Sequence, residues 1–178
     1  MQEKITDKQI LELFRKEPEE GFRNLVLKYQ KKLYYHIRRI VILHEDADDA
    51  LQNSLIKIWQ NLSGFREISS LYTWLYRIST NEALSIIKKR THASDMNLDS
   101  LFASSDEGAS WFDGDLAEKM LWEAIANLPE KQRIIFIMKY YDDLKYEEIS
   151  SILETSVGAL KASYHHAVKK IEEYLTSR

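Results

Sequence analysis

The residues best equipped for chemistry are few in this chain, and their spacing does not suit catalysis. The five histidines, His36, His44, His92, His165 and His166, form no set with carboxylates at the spacing of a metal or catalytic site. His165 and His166 are sequence neighbours and point to different sides of any helix that carries them. Cysteine is absent, which removes disulfides, thiolate metal sites and cysteine nucleophiles together. No glycine-rich phosphate loop and no nucleophile motif occurs. The expectation is a protein that is not an enzyme, holds no metal and needs no cofactor. What remains is the chemistry of recognition, and one stretch concentrates it. In Tyr146 to Leu175, the apolar residues Tyr146, Ile149, Ile152 and Leu153 mark one helical stripe, and Val157, Leu160, Tyr164, Ala167, Val168 and Ile171 mark a second. Only Glu154-Thr155-Ser156 separates them, and Ser156 can cap the second helix. This spacing fits a helix-turn-helix, whose second helix enters the major groove of DNA, and it equally fits a plain helical hairpin in a bundle.

The rest of the chain supplies the elements that would position such a motif. A short helix is expected from about Asp7 to Lys16, capped by Thr6 or Asp7 and ended before Pro18. A longer one follows from about Glu20 to Ile42, with Phe22, Leu25, Val26, Tyr29, Leu33, Ile37, Ile40 and Val41 inward. Its other face carries Lys28, Lys31, Lys32, Arg38 and Arg39, which reads as a solvated face. A third helix, Ala47 to Leu62, is expected to be capped by His44-Glu45-Asp46 and to bury Ala47, Ala50, Leu51, Leu55, Ile58, Trp59 and Leu62. Asp48, Asp49, Gln52, Asn53 and Lys57 are left outside as a polar row that a protein partner could read. In the turn that follows, Phe65 and Ile68 must either plug the core or wait for a ligand. A fourth helix, about Ser70 to Arg90, ends in Lys88-Lys89-Arg90, favourable charges at a helix C-terminus. Helices from Leu116 to Asn127, with Leu116 inward, and from Pro129 to Tyr141 lead into the motif described first.

Between them, residues 91–115 lose all periodicity. Charge divides accordingly, the total of −3 splitting into +4 over 1–90, −6 over 91–115 and −1 over 116–178. A stretch of this length without helical pattern does not belong inside a compact domain. The expected fold is therefore all-α, with two helical domains, 1–90 and 116–178, joined by an acidic flexible linker, 91–115. With two prolines and five glycines, helices are interrupted almost nowhere, and no strand or hairpin signal is present. The N-terminus lacks a signal-peptide core and no apolar run is long enough for a membrane span, so a cytoplasmic protein without membrane insertion is expected.

Taken together, these residues resemble the extracytoplasmic-function (ECF) group of bacterial RNA polymerase sigma factors. The resemblance runs from about Phe22 to Leu175. Asp46 to Trp59 (DADDALQNSLIKIW) and Leu71 to Ile78 (LYTWLYRI) with Asn81 are similar to region 2 of that family. Leu128 to Arg133 (LPEKQR), Tyr146 to Ile149 (YEEI) and Ser156-Val157-Gly158 with Lys161 are similar to region 4.

What the resemblance implies is specific. The polar row Asp48, Asp49, Gln52 and Asn53 would dock on the clamp helices of the polymerase β′ subunit, and a common acidic residue of the family pattern is Asn53 here. Phe65 and Asn81 would hold a flipped base of the −10 element, while Arg66, Arg77, Lys88, Lys89 and Arg90 would follow phosphates. At the −35 element, Thr155, Ser156, Val157 and Gly158 would meet a phosphate at the helix N-terminus. Lys161, Ser163 and His165 would reach base edges, and Arg133 and Lys169 would contact the backbone. Positions often held by arginine are Ser163, His166 and Val168, and a common threonine is Ala159, so duplex affinity should be modest. The acidic linker would carry Asp95, Asp99, Asp106, Glu107, Asp113 and Asp115 into the path of the transcript. The implied partners are core RNA polymerase, through its β′ and β subunits, promoter DNA and an anti-sigma factor. The alternative is a sigma-like decoy that binds an anti-sigma factor without reading a promoter.

Overall fold

The computed structural model describes residues 5–93 and 116–177, and every regular element within them is helical. In the first half these are α1 (Asp7–Lys16), α2 (Pro18–Val41), α3 (His44–Asn61), a single 3₁₀ turn (Leu62–Gly64) and α4 (Leu71–Ala93). In the second they are α5 (Leu116–Ala126), α6 (Glu130–Tyr140), α7 (Tyr146–Leu153) and α8 (Val157–Thr176). The linker's acidic residues lie outside the described residues.

Local chemistry accounts for most boundaries. Thr6 caps α1 reciprocally, its Oγ1 accepting from Gln9 N at 3.2 Å while Gln9 Oε1 accepts from Thr6 N at 2.8 Å. Pro18 stops α1 and opens α2, two residues earlier than the apolar stripe alone suggests. The start of α3 departs from expectation. His44, Glu45 and Asp46 are the first turn of the helix rather than its cap, and Leu43 precedes it with no side-chain capping bond. Glu45 and Asp46 still place negative charge at the positive end of the helix dipole.

In the first half, α1 lies across α2 at Gly21, where an added Cβ would fall inside contact distance of the backbone N and Cα of Phe14. Asp7 Oδ1 pins the crossing by accepting from Lys28 Nζ at 2.6 Å and Tyr29 OH at 2.7 Å. Leu25, Leu33, Ile37 and Ile40 of α2 form the core with Ala50 and Ile58 of α3 and Leu75 and Tyr76 of α4. In the second half, Trp122, Ile125, Leu128, Phe136, Ala167 and Ile171 make a smaller core between α5, α6 and α8.

These two cores are not the whole of the packing. Ile134, Ile135, Ile137 and Met138 of α6, with Leu144, Ile149, Ile152 and Leu160, join the core of the first half. α2 therefore packs on α6, and α4 on α7. Two inward assignments are corrected. Leu116 is 75% exposed, and Trp59 is 40% exposed, with Phe14 and Phe22 set edge-on to its ring at 5.8 and 5.1 Å.

Candidate functional site

Among the described residues, three surfaces and one seam concentrate polar chemistry. The first surface is the outward face of α3, where Asp48, Asp49, Gln52 and Asn53 are all exposed. The helix rather than the loop holds them, so they form a rigid row. The row extends further than the sequence pattern suggested. Ile56 lies one turn beyond Gln52 and Asn53 and is 49% exposed, an apolar contact at the end of a charged strip. Its i+3 and i+4 spacing from those two residues was the available signal. Lys57 is tied to Glu82 of α4 and leaves the row.

The second surface is the turn before α4 and that helix's outer side. The two apolar residues of the turn divide the two roles between them. Phe65 plugs back, its ring 5.1 Å from Trp74, whereas Ile68 is 88% exposed. Glu67 between them takes a left-handed φ of 56° and pairs with Arg15 at 2.6 Å, which anchors the turn to α1. Arg66, Asn81, Lys88 and Lys89 are exposed. Arg90 and Arg77 are occupied instead. Arg90 Nε lies 2.9 Å from Asp46 Oδ2, joining the end of α4 to the start of α3. Burial pushes the Asp46 carboxyl above the usual range, and the Arg90 charge pulls it back. Arg77 Nη2 lies 2.5 Å from Glu154 Oε1 at the end of α7, in the other half of the chain.

The third surface is the bend between α7 and α8. Glu154 turns the chain with φ 51° and ψ 40°, and Ser156 caps α8, its Oγ accepting from Ala159 N at 3.4 Å. Leu160, Ala167 and Ile171 are buried, so the opposite side of α8 faces outward. Ser156, Gly158, Lys161, His165 and Lys169 stand exposed on it, with Thr155, Val157 and Ser163 half-buried. Nothing lies within 4 Å of an added Cβ at Gly158, so the helix N-terminus is open to a ligand. Arg133 does not share this surface. It is 2% exposed and its Nη1 donates to Ala126 O at 3.4 Å, closing the end of α5, so the expected backbone contact is corrected.

The seam between the halves joins residues far apart in the chain, so no local sequence pattern marks it. His36, fully buried on α2, sets Nδ1 2.6 Å from Asp142 Oδ2 and Nε2 2.8 Å from Thr80 Oγ1. Thr80 donates its own proton to Tyr76 O at 2.7 Å, so the hydroxyl accepts from His36 Nε2–H, and Nδ1 faces the carboxylate. A Thr–His–Asp line has the order of a hydrolase relay, but here the hydroxyl is spent on a carbonyl and all three side chains are buried. It functions as a fastener. Tyr72 OH adds a bond to Asp142 O at 3.1 Å, and Thr73 Oγ1 one to Glu148 Oε1 at 3.1 Å. The basic face of α2 is correspondingly not all solvated. Arg38 is 4% exposed, and Arg39 Nη1 lies 3.8 Å from Asp142 Oδ1.

Comparison with known proteins places these surfaces in context. The family profile described as Sigma-70 region 2 matches residues 25–93, and the one described as Sigma-70, region 4 matches residues 118–171. The chain is similar to the RNA polymerase sigma-H factor of Pseudomonas aeruginosa, 29% identical over 186 residues, covering 95% of this chain and 93% of that protein. It is equally similar to the ECF RNA polymerase sigma-E factor of Escherichia coli K12, 29% identical over 187 residues, covering 97% and 95%. Two solved structures share the fold. The sigma factor RpoE of Bartonella quintana, in complex with the anti-sigma factor NepR, matches with a TM-score of 0.72 at 23% identity, over 88% of this chain and 98% of that one. CnrH, in complex with the cytosolic domain of CnrY, matches with a TM-score of 0.71 at 19% identity, over 96% and 97%.

Proposed function

The chain belongs to the extracytoplasmic-function group of bacterial RNA polymerase sigma factors and directs transcription initiation; on that premise we propose how its surfaces divide the work. The observation that carries the reading is the pair of region profiles in family order, with the exposed rows of α3 and α8 falling one in each.

Residues 1–90 act as the region 2 domain. Asp48, Asp49, Gln52 and Asn53, with Ile56, form the contact to the β′ subunit of core polymerase, an apolar spot within a charged strip. Phe65, packed on Trp74, forms a wall against which a flipped −10 base rests, with Asn81 supplying hydrogen bonds and Arg66, Lys88 and Lys89 supplying charge for phosphates. Residues 116–178 act as the region 4 domain. The N-terminus of α8 takes a −35 phosphate, Lys161, Ser163 and His165 face the bases, and Lys169 follows the backbone. The acidic segment 91–115 supplies the negative charge that the resemblance assigns to the path of the transcript. The protein works as an initiation factor rather than an enzyme, in the cytoplasm with its polymerase. An anti-sigma factor holds it inactive, in keeping with the anti-sigma factor NepR bound to the sigma factor RpoE in one of the solved structures it resembles.

Arg77 cannot serve −10 DNA while Glu154 holds it, and Glu148 occupies Thr73 in the same way. Separation of the halves on core polymerase would release both side chains, and such an opening step is part of this reading. In vitro transcription with core polymerase, with and without the chain, tests the whole reading: promoter-specific transcripts are expected only with it. A chain that binds an anti-sigma factor but never yields such transcripts would be the decoy. Asp49→Arg with Gln52→Ala, both on an exposed face, should weaken core binding at least about tenfold and leave thermal stability unchanged. Lys161→Ala should spare core binding and reduce only −35-dependent initiation. Loss of core binding by Lys161→Ala would refute this division.

A further inference from the structure

We propose that Arg15 of α1 is a positioning residue for promoter reading: paired with Glu67, it holds the turn before α4 in the conformation that presents its side chains to the −10 element. The inference rests on the reading of that turn given above. It concerns a helix that neither family profile reaches, since they match residues 25–93 and 118–171.

The turn is fixed at both ends by its own neighbours. At its start Phe65 N donates to Leu62 O at 3.2 Å, and the Phe65 ring lies 5.1 Å from that of Trp74. At its end Ser70 Oγ accepts from Thr73 N at 3.0 Å in the first turn of α4. Between these ends, Arg66, Glu67 and Ile68 are exposed. Among the described residues, the pair of Arg15 Nη2 with Glu67 Oε1 at 2.6 Å is the one ion pair or hydrogen bond that ties residues 66–69 to another element. Glu67 is also where the backbone turns left-handed, with φ 56°. That conformation crowds a Cβ and is the natural place for glycine, so a glutamate there needs a contact that favours it. Arg15 supplies one. The dihedrals of Glu67 set the direction in which the chain leaves, and they therefore aim Ile68, which follows directly and is 88% exposed.

Arg15 can act as a brace because α1 is itself held. Its neighbour Phe14 is buried, with its backbone against Gly21 of α2, and Asp7 at the other end accepts from Lys28 and Tyr29. The guanidinium thus reaches from a docked helix to a turn 52 residues further along the chain. The two side chains are 62% and 52% exposed, so the pair adds little to global stability. An exposed pair still shifts a local equilibrium by as much as about fivefold, and here that equilibrium is between conformations of the turn. Its effect falls on the turn rather than on the fold.

The test uses holoenzyme assembled from core polymerase and the full-length chain, transcribing a template pool randomised across the −10 element. The readout is the ratio of transcripts from favoured and disfavoured −10 sequences, which a simple loss of folded protein leaves unchanged because it scales both alike. Arg15→Ala should lower that ratio about two- to fivefold with the melting temperature little changed. Arg15→Lys, which keeps the charge, should retain most of it, and Arg15→Glu, which sets like charges together, should lose more than Arg15→Ala. In a Glu67→Gly chain, where a positive φ needs no partner, the identity of residue 15 should cease to matter. Amide relaxation measured by NMR on the free chain reads the brace without transcription: Glu67 and Ile68 should gain mobility in Arg15→Ala and not in Arg15→Lys. The inference is overturned if a chain that selects a −10 sequence ignores Arg15→Ala, or loses transcription equally from all templates. It is overturned as well by unaltered amide mobility, or by an Arg15→Ala effect that persists in full with Glu67→Gly. If the unaltered chain selects no −10 sequence, the reading of the turn fails and this inference with it, whatever the amide relaxation shows.

Discussion

Asp142 ties the two halves together through both its side chain and its backbone. Its carboxylate meets His36 at 2.6 Å and Arg39 at 3.8 Å, and its carbonyl accepts from Tyr72, all from the other half. Removing the carboxylate leaves the buried His36 Nδ1 and the nearby Arg39 Nη1 without their partner, and leaving such buried polar groups unpaired costs about 1–3 kcal/mol, more where one is charged. Asp142→Ala should therefore destabilise the closed chain by an amount of that order in urea unfolding, and Asp142→Asn, which keeps an acceptor, by less. A variant with unaltered stability and unaltered radius of gyration would show that the fastener contributes nothing. Buried phenols make a second residue-scale prediction. Burial pushes Tyr29 and Tyr76 well above the ordinary phenol range, helped by Asp7 at Tyr29 and Asp142 at Tyr76. Their folded values exceed the unfolded value of about 10, so the stability they contribute is complete below that pH and is lost as pH rises beyond it. An absorbance titration near 295 nm should show these two staying protonated while exposed phenols ionise, then ionising together with unfolding. Early ionisation of all ten in a folded chain would contradict this.

Among the elements, α1 is held by a close crossing rather than by length. It presents Ile10, Leu11 and Phe14 to the core and meets α2 where Gly21 has no side chain. A methyl group there would press on backbone, which cannot swing aside, so Gly21→Ala should cost the upper part of the ~1–3 kcal/mol typical of overpacking. Thermal denaturation measures it, and a neutral outcome would mean the crossing is looser than drawn. The elements also show how far local pattern reaches. Thr6, Pro18 and Ser156 act at their helix starts as their chemistry requires. At α3 the same acids that cap well can occupy the first turn, and the sequence cannot separate the two because both satisfy the dipole. Leu116 lies on an apolar stripe yet is exposed at the first position of α5, because no other described element packs over that end of the helix.

At the scale of the whole molecule, the free chain is closed. α2 packs on α6 and α4 on α7, with residues of both halves in one core. A closed chain ties Arg77 to Glu154 and fixes the surfaces proposed for the −10 and −35 elements at a single separation, so the isolated protein should bind duplex promoter DNA poorly and gain affinity in the presence of core polymerase. Donor and acceptor dyes on Gln60 and Ser177 should move apart when core polymerase is added; an unaltered distance in an active initiation complex would refute the opening step.

The sequence by itself determined the helices, their order and the exposed rows of α3 and α8. These follow from apolar periodicity and caps, which act within a few residues. It also carried the family resemblance through DADDALQNSLIKIW, LYTWLYRI and the short motifs around the α7–α8 bend. Only the tertiary structure decided that Arg133 is buried, that Arg77 and Arg90 are held by acids, and that His36 and Asp142, 106 residues apart, meet inside a shared core. Periodicity reports which face of a helix is apolar; it is silent on which distant helix that face will choose.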